Sequence, residues 1–71
     1  MKEFIDFIAS VLEVEPSALS ENTAYGECEK WDSLMHMRIV MEVEDRYDIE
    51  IPIEDIPKIK TIRDFYNYTV R

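Results

Sequence analysis

The first pattern along the chain is helical. Phe4, Ile5, Ile8, Val11 and Leu12 recur at three- and four-residue spacing, with Lys2, Glu3, Asp6 and Glu13 between them. That spacing gives a helix one apolar stripe to bury. Pro16 predicts its end, because the residue before a proline avoids the helical region. Periodicity then fades across residues 15–32, which include Asn22 and the only glycine, Gly26. So long a connection in a small chain is expected to be packed or functional. Leu19 and Tyr25 are its expected anchors in the core.

A second helix is expected to start near Ser33, because a serine side chain accepts well from the free N–H groups of a first turn. Leu34 to Tyr47 contains neither Gly nor Pro. At about 100° per residue, His36, Ile39, Val40, Val43 and Tyr47 share one face, the expected core face. Leu34, Arg38, Met41 and Asp45 lie opposite, flanked by Met37 and Glu42. An outward face that keeps a leucine and two methionines is a candidate for partner binding. The alternative is that Met37 and Met41 pack beneath the long loop.

Asp48-Ile49-Glu50-Ile51 alternates like a strand. It has no second strand to pair with, so an extended connector is expected, with Ile49 and Ile51 on opposite sides. Pro52 and Pro57 bracket Ile53 to Ile56 and leave room for one helical turn. Thr61 followed by Asp64 reads as a loose capping box. It opens a last helix containing Ile62, Phe65, Tyr66, Tyr68 and Thr69. The expected fold is all-α: three helices, a short and poor additional one before the last, and a long loop between the first two.

Composition narrows the function. The 71 residues suffice for one small domain spanning 1–71. An apolar share of 46% is enough for a core rather than a disordered tail. A domain this small has no room for a deep, walled active site. The net charge of −8 argues against a nucleic-acid partner, whose phosphates would repel it. Residues 27–55 hold ten acids and three bases, so most of the charge sits mid-chain. Such a segment attracts basic partners, although its plainest reading is a solvated face. Cys28 is the only cysteine, which excludes an internal disulfide and fits a reducing compartment. No signal peptide or membrane-length apolar run is visible. A cytoplasmic monomer without membrane insertion is expected.

Three residue types of a hydrolytic triad, Asp32, Ser33 and His36, lie close together. Helical phase separates them. It sends His36 inward and leaves Ser33 at the exposed helix end, with no glycine-rich turn for an oxyanion hole. An enzyme is therefore not expected, and His36 reads as a partly buried histidine with one backbone partner. Asp45, Asp48, Glu50, Glu54 and Asp55 are oxygen ligands suited to a hard cation. The glycine of a calcium loop is missing among them, and they straddle a helix end. One Cys and one His give zinc no ligand set. No dedicated metal site is expected.

Lys30-Trp31-Asp32-Ser33-Leu34-Met35-His36-Met37, with Val40-Met41-Glu42-Val43-Glu44-Asp45-Arg46-Tyr47 and Ile49-Glu50-Ile51-Pro52, resembles the acyl carrier proteins. The Asp-Ser-Leu triplet alone is weak. Its combination with an acidic amphipathic helix, an Ile-Pro step and a Thr-capped last helix is specific, most clearly over residues 31–68. The resemblance implies a four-helix bundle carrying a covalent 4′-phosphopantetheine arm on Ser33. The arm would tether acyl intermediates as thioesters for transfer between partner enzymes. Asp32 matches the acid before the serine, used when a phosphopantetheinyl transferase and its magnesium engage. Leu34, Met37, Met41, Glu44 and Asp45 match positions that meet partner enzymes. Those partners are acyl-loading and acyl-processing enzymes, such as a ligase, a ketosynthase or an acyltransferase. A helix N-terminus favours a phosphodiester on Ser33 on physical grounds too.

Three departures stand against the family pattern. Arg38 replaces the usual acid on the exposed face, Trp31 replaces a small residue before the Asp, and Pro57 interrupts the third helix. They point to a carrier in a specialised lipid or secondary-metabolite pathway. The alternatives are a carrier of amino acyl or D-alanyl groups and an unmodified acidic adaptor. Cys28 and Trp31 are expected to pack within the loop rather than to line the mouth of a cargo groove.

Overall fold

The apolar stripe of the N-terminal segment forms α1, Lys2–Leu12, in the computed structural model, which describes residues 1–70. The helix stops before Pro16 can act. Glu13 adopts the left-handed conformation at φ 59°. Its N–H donates to Ser10 O at 3.3 Å, and the Val14 N–H donates to Ala9 O at 3.0 Å. These two bonds satisfy helix-end carbonyls in the Schellman arrangement. The expectation that Pro16 ends the helix is thus corrected. Pro16 instead opens a short 3-10 helix, Pro16–Ala18.

Glutamate is a poor residue for that turn, because its Cβ crowds the carbonyl in the left-handed region. Glu13→Gly is expected to raise stability by about 0.5–1 kcal/mol after the extra chain entropy of glycine is counted. That corresponds to a melting temperature higher by about 3–6 °C. An unchanged value in thermal denaturation would mean that the glutamate side chain offsets its own backbone strain.

The glycine-free run forms α2, Ser33–Tyr47, and it ends the same way. Asp48 is left-handed at φ 53°, and the Ile49 N–H reaches Glu44 O at 3.1 Å. The connector after it is extended, with Ile51 buried and Ile49 half-buried. Between the prolines the chain makes a 3-10 helix, Ile53–Lys58, longer than the single turn expected and holding Pro57 inside it. The last helix, α3, spans Ile62–Thr69. Its capping box is complete: Thr61 Oγ1 accepts from the Asp64 N–H, and Asp64 Oδ2 accepts from the Thr61 N–H at 3.1 Å. The all-α expectation holds.

Phe4, Ile8 and Leu12 of α1, Ile39 and Val43 of α2, and Ile62 and Phe65 of α3 meet in one buried cluster. The long loop is packed, as expected. It lies against the start of α3 through a bridge between Ala24 and Thr61. The Tyr25 N–H donates to Lys60 O at 2.6 Å, and the Ile62 N–H donates to Thr23 O at 3.2 Å. Arg63 and Glu21 add an ion pair. Leu19 anchors the loop, but Tyr25 does not, because its ring stays 43% exposed. Trp31 takes that place at 1% exposure. The larger apolar ring fills the space beside Phe65, and Tyr25 packs edge-on outside it, with centroids 6.1 Å apart.

Candidate functional site

The start of α2 is set by Asp32, not by Ser33. Asp32 has extended backbone angles, and its Oδ1 accepts from the Met35 N–H at 2.9 Å. Ser33 is the first helical residue, and the expectation that it caps the helix is corrected. An aspartate one residue earlier reaches the third N–H of the helix and adds a negative charge at the positive end of the dipole. The Ser33 hydroxyl is left exposed at that end. It has no protein partner among the described residues.

Behind Ser33 lies a hydrogen-bonded relay. The Trp31 Nε1–H donates to His36 Nδ1 at 3.0 Å. His36 Nε2 lies 3.1 Å from Ile56 O. An indole N–H can only donate and a carbonyl can only accept, so the imidazole is neutral with its proton on Nε2. His36 therefore has the backbone partner expected of it, and a second partner in Trp31. Both nitrogens are occupied, so neither can serve Ser33 as a base. The indole and imidazole stack at 16°, and Phe65 lies 5.3 Å from the imidazole centroid.

A groove of about 300 Å³ opens beside Ser33. Its walls come from three places: Tyr25 of the loop, His36 and Met37 of α2, and Ile56, Pro57, Ile59 and Lys60 of the segment before α3. Sequence reasoning assigns none of these wall residues to a groove: His36 reads there as a partly buried histidine and Met37 as part of the outward face of α2. The residues are far apart in the chain, and no local period joins them. The one available signal was aromatic: Tyr25 and Trp31 of the loop lie close in the chain to His36 on the core face of α2.

The outward face of α2 is as the helical phase predicts. Leu34 is 77% exposed and Met41 65%, and Met37, Arg38 and Asp45 are also exposed. Met37 and Met41 are not covered by the loop. Arg38 pairs loosely with Glu42 at 3.9 Å. Glu44 stands apart from this group. It is half-buried, and its Oε2 accepts from the Ile51 N–H at 2.8 Å, holding the connector against α2. Trp31 packs inside, as expected, and Cys28 is half-buried against the core cluster. Among the described residues, no three His, Cys, Asp or Glu side chains gather to hold a metal ion, and no helix is long and apolar enough to cross a membrane.

Comparison with known proteins identifies the family. Residues 2–69 match the family described as phosphopantetheine attachment site. An acyl carrier protein of Bdellovibrio bacteriovorus is 35% identical over 63 residues, covering 89% of this chain and 81% of the relative. One from Syntrophobacter fumaroxidans is 30% identical, covering 97% and 85%. A meromycolate extension acyl carrier protein of Mycobacterium leprae is 31% identical, covering 94% of this chain and 62% of the relative. The match spans both the capped start of α2 and the helices that support it. The chain belongs to the acyl carrier protein family, non-enzymatic carriers that hold a covalent 4′-phosphopantetheine group.

Proposed function

We propose that Ser33 carries the 4′-phosphopantetheine group and that residues 1–71 act as one carrier unit. The observation that carries the reading is the exposed Ser33 hydroxyl at the first position of a dipole-aligned helix, beside an apolar groove. The residues fit the group. The free N–H groups of the first turn favour a phosphodiester there. When bound, the group supplies a terminal thiol that holds an acyl cargo as a thioester. The protein supplies an accessible hydroxyl, while a phosphopantetheinyl transferase supplies base and magnesium. Asp32 uses Oδ1 for the helix cap, which leaves Oδ2 for the transferase's metal ion.

Leu34, Met37, Arg38, Met41 and Asp45 form the surface that meets partner enzymes, with Glu44 holding its lower end in shape. Exposed apolar side chains among acids suit fast and reversible docking. The departures at Trp31, Arg38 and Pro57 favour a specialised acyl pathway, and so does similarity to a relative named for meromycolate extension. The protein works in the cytoplasm as a monomer beside acyl-loading and acyl-processing enzymes. Intact-mass spectrometry after incubation with coenzyme A and a broad-specificity transferase tests the reading. A gain of one phosphopantetheine group supports it, and an unchanged mass overturns it.

Arg38 tunes the choice of partner. Arg38→Glu is expected to change the rate of loading by a partner enzyme by about tenfold at low ionic strength. The difference should shrink as salt screens it. The Arg38–Glu42 pair is exposed and worth about 0.3–0.5 kcal/mol, so the melting temperature should move by no more than about 3 °C. A large loss of stability would instead make Arg38 structural.

A further inference from the structure

We infer that Trp31 and His36 close the floor of the Ser33 groove and restrict this carrier to short acyl cargo, of about six carbons or fewer. The inference rests on Ser33 being the attachment point. A cargo tethered there folds back first onto the groove formed by Tyr25, Met37, Ile56, Pro57 and Ile59. Those walls are largely apolar, so a hydrocarbon is favoured over a polar cargo. The space is limited. At about 30 Å³ per water-sized group, 300 Å³ holds about ten such groups. The end of the arm takes a share of that room.

A longer chain needs a passage from the groove into the buried cluster. The relay stands across that passage. His36 lines the groove and contacts the fully buried Phe65, while Trp31 stacks behind it. Opening the floor means breaking both Trp31 Nε1–H···Nδ1 His36 and His36 Nε2–H···O Ile56. That would strand two donors, Trp31 Nε1–H and His36 Nε2–H, and two acceptors, His36 Nδ1 and Ile56 O, without water. The second bond also ties α2 to the 3-10 helix Ile53–Lys58, so the two walls cannot part without losing it. Carbon atoms beyond the groove therefore stay in water.

The test uses the full chain loaded from acyl-coenzyme A thioesters, acetyl to dodecanoyl, by a broad-specificity transferase. Intact mass is checked for each product. Trp31 is the only tryptophan, so its emission reports directly on the floor. Protection of the thioester from hydroxylamine is read in parallel. Protection should rise by up to about fourfold per added carbon, the equivalent of about 0.8 kcal/mol per buried CH₂. It should level off near six carbons, with Trp31 emission constant throughout. His36→Leu removes both relay bonds and should move the plateau to longer chains. The wild-type series decides the matter whether or not that variant folds. Protection that keeps rising to dodecanoyl, with a progressive shift in Trp31 emission, overturns the length limit and leaves the carrier reading intact. Protection independent of length from acetyl onward also overturns it, since the groove then holds no cargo. No mass gain at all overturns the carrier reading, and this inference with it.

Discussion

Ser33→Ala is expected to abolish the phosphopantetheine mass gain completely while leaving the fold unchanged. The two halves of this expectation have separate physical grounds. The hydroxyl is the nucleophile in the proposed attachment, and alanine has no atom to replace it. Its loss from the folded chain costs little, because Ser33 is exposed and the cap belongs to Asp32 Oδ1. Alanine is also the better helix former, by less than about 0.7 kcal/mol. The melting temperature should therefore stay level or rise slightly, and far-ultraviolet circular dichroism should be superimposable. A variant that still gains mass would move the attachment to another residue. One that unfolds would mean that the Ser33 side chain holds the helix start, against the observed hydrogen bonds.

Trp31→Ala is expected to have the largest effect on stability. Truncating a buried tryptophan costs about 3–5 kcal/mol in transfer and cavity terms. It also removes the donor to His36 Nδ1 and leaves a buried acceptor unpaired. A chain of 71 residues has roughly 4–10 kcal/mol of stability in total. The variant should be largely unfolded at 37 °C, by circular dichroism and by loss of a cooperative melt. Trp31→Phe retains an aromatic ring against Phe65 and loses only the donor and part of the volume. It should fold, with a loss of about 1–3 kcal/mol. Equal damage from both substitutions would place the importance of Trp31 in the hydrogen bond; little damage from either would contradict its burial.

These two residues flank Asp32 in the chain's most informative segment, yet they were legible to different degrees. The start of α2 near Ser33 follows from the switch to a glycine-free periodic run. The exchange of roles between Asp32 and Ser33 at the cap does not. Either side chain is a competent cap, and one residue of register decides which does the work. The core face of α2 was legible because helical phase is a local property. His36, Ile39, Val40 and Val43 are buried as that phase requires, and only Tyr47 stays half-buried, against Phe4 and Phe7. The end of α1 was not, since Glu13 carries none of the usual signal for a left-handed turn and Pro16 offered a plausible stop further on. Glu44 shows the same limit. Its charge and position suit an exposed docking residue, but its carboxylate meets the Ile51 N–H because the connector folds back after Asp48.

The sequence by itself determined the all-α architecture, the capped last helix, the acidic middle segment and the resemblance centred on Asp32-Ser33-Leu34. All of these depend on residue types at short, regular spacing, where backbone geometry leaves little choice. Only the tertiary structure decided that Trp31 rather than Tyr25 anchors the loop. It alone joined Trp31, His36 and the Ile56 carbonyl into a relay, and it alone built the groove beside Ser33 from three distant segments. Those features depend on which surfaces meet when the loop and the 3-10 helix close over α2. Burial, ring shape and the pairing of buried polar atoms settle that meeting together, across separations at which the chain has no periodic signal.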